Sequence, residues 1–231
     1  MASVDTVAAQ PAGRLPLWLK LAYTAFMAVL VPVYWYYYGP TNFLYFCDVA
    51  LFLTLAGLWL ESPLLISMCA VGILLPQMLW VADFFGNMVG VPVTGMTDYM
   101  FKHANSQFLR GLSLFHGWLP FFLLYLVWQT GYDKRALPAW TVLAWALLLI
   151  CFFLMPPPHP DPGLTPVNIN YVWGPSDNVA QTWVHPYVWL AGLMIGMPLL
   201  LFAPVHWLLA RLAPSADSPH PVPHRTGQRL A

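Results

Sequence analysis

Long apolar runs divide the chain, and each is closed by Gly, Pro or a short polar cluster. One membrane span needs about 20 apolar residues, so the pattern predicts six spanning helices. The first covers 16–38 and ends in Tyr34-Trp35-Tyr36-Tyr37-Tyr38, then Gly39-Pro40. No small-residue cleavage motif follows it, so it is expected to be a retained anchor rather than a signal peptide. The second covers 42–60 and stops at Glu61-Ser62-Pro63; the third covers 64–84 and contains Pro76 and Gln77. After a Gly-rich connector, the fourth covers 108–128, and Asp133-Lys134-Arg135 forms a charged turn. The fifth covers 137–155, and the sixth, 185–210, is interrupted by Pro198 and Pro204. The expected organisation is a disordered 1–14, a six-span domain over 15–211 and a disordered Pro-rich tail over 212–231.

Composition agrees with an all-α polytopic membrane protein. Of 231 residues 59 % are hydrophobic and only 8 % charged, against roughly 25 % charge in soluble domains. Too little charge is present to cover a water-facing surface. Nine basic and nine acidic residues cancel, which excludes a basic face for nucleic acid. The 12 Trp, 11 Tyr and 14 Phe suit membrane interfaces. Cys47, Cys69 and Cys151 lie in apolar runs without zinc or disulfide spacing.

Charge also predicts orientation. Six spans place Arg14, Lys20, Lys134, Arg135, Arg211, Arg225 and Arg229 on one side, and only Lys102 and Arg110 on the other. By the positive-inside rule both termini are expected in the cytoplasm. Usage of Ala, Pro, Leu and Trp suggests a bacterial source, hence a multi-pass protein of the inner membrane.

Ionisable groups inside a membrane are costly and mark candidate sites. Measured from the outer side at about 1.5 Å per residue, Cys47 and Asp48 lie roughly 8–9 Å deep and His116 roughly 12 Å deep. Asp83 ends the third span on that side, and His185 begins the sixth. The outer connectors add Asp98, Lys102, His103, Arg110, Asn168, Asn170, Tyr171, Asp177 and Asn178, whereas the inner half offers little beyond Glu61, Asp133 and His206. Six prolines within 156–166 favour stiff, extended backbone. That backbone carries Asn168 to Pro175, as a lid over an outer pocket or as a rigid connector.

The residues resemble a family. Phe46-Cys47-Asp48, Leu112-Ser113-Leu114-Phe115-His116-Gly117, Asn170-Tyr171 and Trp183-x-x-Pro186-Tyr187-x-Trp189 are similar to the YwaF-type bacterial integral membrane proteins. Those are distantly related to a transmembrane acyltransferase of ether phospholipids and to androgen-induced-gene-type lipid hydrolases. The resemblance covers roughly 42–200 and implies a six-span fold with an intramembrane nucleophile and a His, which fall here on Cys47 and His116. The chain departs from it at Tyr45, where bacterial members often carry His.

A thiol beside a His gains thiolate character. Cys47 would attack a lipid ester, His116 would carry the proton and Asp48 would orient His116 or accept a proton. Asn42, Asn170 or Tyr171 would donate to the oxyanion. Arg110, with Lys102, would meet lipid phosphate, and His185 completes the candidate substrate set. The competing readings are plain: Cys47 as a buried filler, Asp48 paired with Arg110, and Gln77 satisfying backbone freed by Pro76. A metal site from Asp48, Asp83, His103 and His185 lacks HxxH or HExxH spacing, so neither metal nor cofactor is expected. Gly192-x-x-x-Gly196 could admit a neighbouring helix, so partner subunits or a homo-oligomer join membrane lipids as expected partners. The expected function is a lipid-directed acyltransferase or hydrolase at the outer leaflet. The alternatives are a lipid-binding or structural subunit of a membrane complex and a small proton-coupled carrier using Asp48, Asp83 and His116.

Overall fold

A computed structural model describes residues 15–101, 106–161 and 163–216. The expected disorder of 1–14 and of the tail beyond 216, and the candidates Lys102 and His103, lie outside the described residues. Eight α-helices are present there: α1 Leu17–Tyr38, α2 Phe46–Leu60, α3 Pro63–Met88, α4 Gln107–Ser113, α5 Phe115–Thr130, α6 Ala136–Leu154, α7 Pro186–Met197 and α8 Ala203–Leu212. α4 and α5 form one rod bent at Leu114, and a wide π turn, Pro198–Phe202, joins α7 to α8. The protein is an all-α polytopic membrane protein: five of its rods are long and apolar enough to cross a membrane.

The remaining helix corrects an expected boundary. α2 has only 15 residues, about 22 Å of rise against a hydrocarbon core of about 30 Å. Pro40–Leu44 forms a tight 3₁₀ turn in its place. Pro40 sits at the first position of that turn, where its missing N–H costs nothing. Asn42 therefore precedes the helix rather than starting it.

α3 is the central pillar. Of its most apolar stretch 61 % is buried, against 17 % for the rod Pro186–Leu212. α2, α5, α6 and α8 pack around α3. Small residues make the close approaches: a side chain at Gly57 would press on Ile66, and one at Gly72 would overlap the buried Trp140 ring. α1 leans on α5 through Tyr23 stacked on Phe122, 5.6 Å between centroids, and through Phe26 edge-on to Trp118 at 5.1 Å.

One end of the bundle is closed by polar ties. Lys20 Nζ meets Glu61 Oε1 at 2.5 Å, joining the start of α1 to the end of α2. The Asp133 backbone N–H donates to Ser67 Oγ at 3.0 Å. Arg135 grips Asp133 at 2.7 Å, and its hydrogen bonds hold that carboxyl below the usual carboxylate range. Beyond α8 the chain returns to the α5–α6 turn, where Tyr132 N donates to Pro214 O and Ala216 N to Tyr132 O. His206 Nδ1 lies 2.6 Å from the Tyr132 hydroxyl.

Gly72→Val should destabilise the protein by about 1–3 kcal/mol, read as a lower thermal midpoint in detergent. Gly192→Val, on an open face, should leave that midpoint unchanged.

Candidate functional site

The opposite end holds the candidate residues. Tyr45 precedes α2, so Cys47 and Asp48 occupy its first turn. Acidic groups are favoured there by the unpaired N–H groups and the helix dipole. Asp48 is 3 % exposed. Its Oδ2 accepts from Asn42 Nδ2 at 3.3 Å and from the Cys47 thiol at 3.7 Å. Among the described residues its buried Oδ1 has no hydrogen-bond partner. Tyr34, Tyr38 and Tyr45 stand within electrostatic range of the Asp48 carboxyl.

Arg110 does not pair with Asp48. The ion pairs among the described residues are Lys20–Glu61 and Asp133–Arg135. Arg110 Nη1 instead donates to the Met100 carbonyl at 2.9 Å. Arg110 extends from α4 onto the 98–101 turn and braces that loop, so Asp48 is held by an amide and a thiol rather than by a cation.

His116 opens α5 just after the bend. Its Nδ1 lies 2.8 Å from the Ser113 carbonyl. A carbonyl can only accept, so Nδ1 carries a proton and Nε2 of the neutral ring keeps its lone pair. The ring is clamped between Trp80, stacked at 5.2 Å and 18°, and Phe115 at 4.0 Å. No hydrogen bond joins His116 to Cys47 or to Asp48 among the described residues, so the thiol faces Asp48 rather than His116. The Tyr34 hydroxyl and Ser113 Oγ are 2.9 Å apart, and the Tyr99 hydroxyl lies within reach of Ser113.

The amides have other work. Asn170 Oδ1 accepts from Phe46 N at 3.1 Å, and its Nδ2 donates to Leu44 O at 2.9 Å and to Cys151 Sγ at 3.4 Å. This side chain caps α2 from 124 residues away, so an oxyanion role would require it to let go of a helix end. Asn168 likewise binds Trp173 N, Gly174 O and Ser176 O. Both asparagines and Tyr171 adopt left-handed backbone, with φ of 49°, 58° and 59°. That conformation is uncommon outside Gly, and Asn tolerates it best. Tyr171 is exposed and gives its carbonyl to Trp189 Nε1 at 2.9 Å. His185 is an exposed N-cap of α7, accepting from Tyr187 N at 3.4 Å.

Asp83 is a clamp. It is fully buried, five residues before the end of α3. Oδ1 accepts from Thr94 N and Gly95 N, and Oδ2 from Thr97 N and Thr97 Oγ1, at 2.5–2.9 Å. Both oxygens are saturated, which fits a loop anchor and leaves nothing for a metal. Among the described residues no group of three His, Cys, Asp or Glu side chains could hold a metal ion. Gln77 also differs from its expected role: both buried amide atoms lack a hydrogen-bond partner among the described residues. The carbonyl freed by a Pro is satisfied elsewhere, at Pro198, where Trp145 Nε1 donates to Met194 O at 2.7 Å.

Sequence reasoning missed Tyr34, Tyr99 and Trp80 as members of this cluster. Tyr34 sits in an aromatic run and Trp80 in an apolar helix, both of which read as interface or core, and Tyr99 sits in a mixed connector; nothing local marks the inward-facing ring. No family model, curated protein or solved structure matches this chain.

Asp83→Ala should strand four donors, cost about 3 kcal/mol and expose the 89–101 loop to added protease. Asn170→Ala should cost about 1–2 kcal/mol through the lost cap, read as a lower thermal midpoint with Cys151 more reactive to thiol reagents.

Proposed function

We propose that this chain is a lipid-directed acyltransferase or hydrolase acting at the outer leaflet of the bacterial inner membrane. In this reading it makes six passes with both termini in the cytoplasm, as the basic-residue bias favours. The observation that carries the proposal is the thiol of Cys47 on a buried carboxylate whose second oxygen has no partner among the described residues. That pair supplies a nucleophile and an acceptor for its proton at one point, inside the first turn of a helix.

Cys47 Sγ attacks the carbonyl carbon of a lipid ester. The S–C bond forms as the ester C–O bond breaks, and the thiol proton passes through Asp48 to the leaving alkoxide. In the second half a water or lipid hydroxyl attacks the thioester, and its O–C bond forms as the S–C bond breaks. His116, with Nε2 unprotonated, takes the proton from that incoming hydroxyl and passes it on through Asp48 to the Cys47 thiolate, which restores both groups. The helix N-terminus of α2 offers positive potential where the oxyanion develops.

A lipid-binding or structural subunit is the second reading, and a specific observation favours it. Asn42, Asn170 and Asp83 are all engaged in packing the outer end, as a scaffold requires. Incubation with phospholipid followed by intact-mass measurement separates the two. The enzymatic reading expects a fatty-acyl adduct on Cys47, absent in Cys47→Ser and reduced in Asp48→Asn and His116→Ala. No adduct, with lipid turnover unchanged in Cys47→Ser, would favour the subunit.

A further inference from the structure

The rod α7–α8 is the least buried of the five, and its outward face holds an open apolar groove of about 390 Å³. Val188, Gly192, Leu193, Gly196, Met197 and Leu200 line it. A side chain at Gly192 or Gly196 would meet nothing within 4 Å, so the two glycines make the floor a trough. We propose that this groove binds one lipid acyl chain and presents it to the Cys47 end of the bundle, an inference that rests on the lipid-directed reading above for its second half only.

Three observations select a chain over a second helix. The first is length. From Val188 to Leu201 the groove rises about 20 Å, enough to run the depth of one leaflet, about 15 Å, of a hydrocarbon core about 30 Å thick. A docked helix would continue along α8, but the lining stops at Leu201, in the π turn.

The second is the mouth. Exposed Trp183 and Tyr187 flank the start of α7, where aromatic side chains mark the headgroup depth. Exposed His185 caps the same helix, so polar chemistry sits where an ester headgroup would lie.

The third is continuity with the site. Trp189, which lines the groove near its mouth, donates to the Tyr171 carbonyl. Asn170, the preceding residue, holds Phe46 N, one residue before Cys47. The inner wall residues Leu193 and Met197 pack in the same apolar cluster as Leu44, Tyr45 and Phe46. A chain in the groove thus lies against the same apolar cluster that supports the start of α2. Hydrocarbon on both sides leaves little hydrophobic drive for this exchange, so packing in the trough supplies the preference.

The test uses the full chain in phosphatidylcholine nanodiscs containing a phospholipid with a photoactivatable acyl chain. Crosslinks are expected to concentrate on 188–201 and to fall roughly tenfold, the equivalent of 1.4 kcal/mol, in Gly192→Leu and Gly196→Leu. Thermal midpoints should be unchanged, because both positions are open. Crosslinks spread evenly over α1, α6 and α7, and indifferent to the leucines, would overturn the proposal. So would disulfide-linked dimers of Leu200→Cys that exclude the probe, which would assign the face to a second copy. Cys47→Ser should label like the parent. Groove labelling therefore reports the binding site alone, while the Cys47 adduct reports the reaction, and either can fail without the other.

Discussion

A backbone N–H or C=O left unpaired in hydrocarbon costs several kcal/mol, and the end of this protein that holds Asp48 and Asp83 is organised around that cost. Helices end there without a regular turn to finish them. The 3₁₀ turn before α2 leaves Phe46 N and Leu44 O, and one asparagine 124 residues away pairs with both. The loop after α3 leaves three N–H groups, and Asp83 collects them all. Pro198 removes the donor that Met194 O would use, and the Trp145 indole replaces it. Polar side chains in the apolar half of the protein are first of all partners for the backbone.

That accounting is what makes Asp48 distinctive. It belongs to the same end, in the first turn of α2, yet among the described residues one oxygen has no hydrogen-bond partner while Asn42 and the Cys47 thiol share the other. A carboxylate retained inside a bundle without a cation is expensive. Asp83 repays its burial with four hydrogen bonds to a loop; Asp48 does not, and this difference separates an anchor from a candidate reactive group. His116 shows a related contrast. One ring nitrogen is committed to a backbone carbonyl and the ring is stacked on Trp80, so its orientation is settled before any substrate arrives.

The pillar α3 explains why these groups hold their places. It touches nearly every other rod, and the Trp140 ring closes on Gly72 with no room for a side chain. Packing of this density transmits position: α3 carries Trp80 and Asp83, which set the His116 ring and the outer loop. The α7 half of the α7–α8 rod lies outside this scheme. Its glycines face open space, and its looser packing is consistent with a surface that meets lipid.

Apolar run length and charge placement are local properties, and they sufficed to read the helices, their order and the clustering of polar groups at one end. A bilayer demands about 20 apolar residues per crossing, so composition alone exposes the spans. The boundary of α2 was not legible, because the apolar run starts at Phe43 and only the 3₁₀ turn Pro40–Leu44 shows that the helix starts later. Nor could the sequence assign Asn170, Asp83 or Arg110, since each is defined by a partner loop or helix rather than by its neighbours in the chain. Asn170 and Tyr171 read as substrate-facing, but the tertiary structure spends the first on a cap and turns the second out by a left-handed backbone. Cys47 and Asp48 were adjacent on the page, but that the thiol would face the acid, and that His116 would turn its Nδ1 to Ser113, depended on helix rotation and on the α4–α5 bend. Periodicity fixes which residues can be helical; only packing decides which side of each helix points inward.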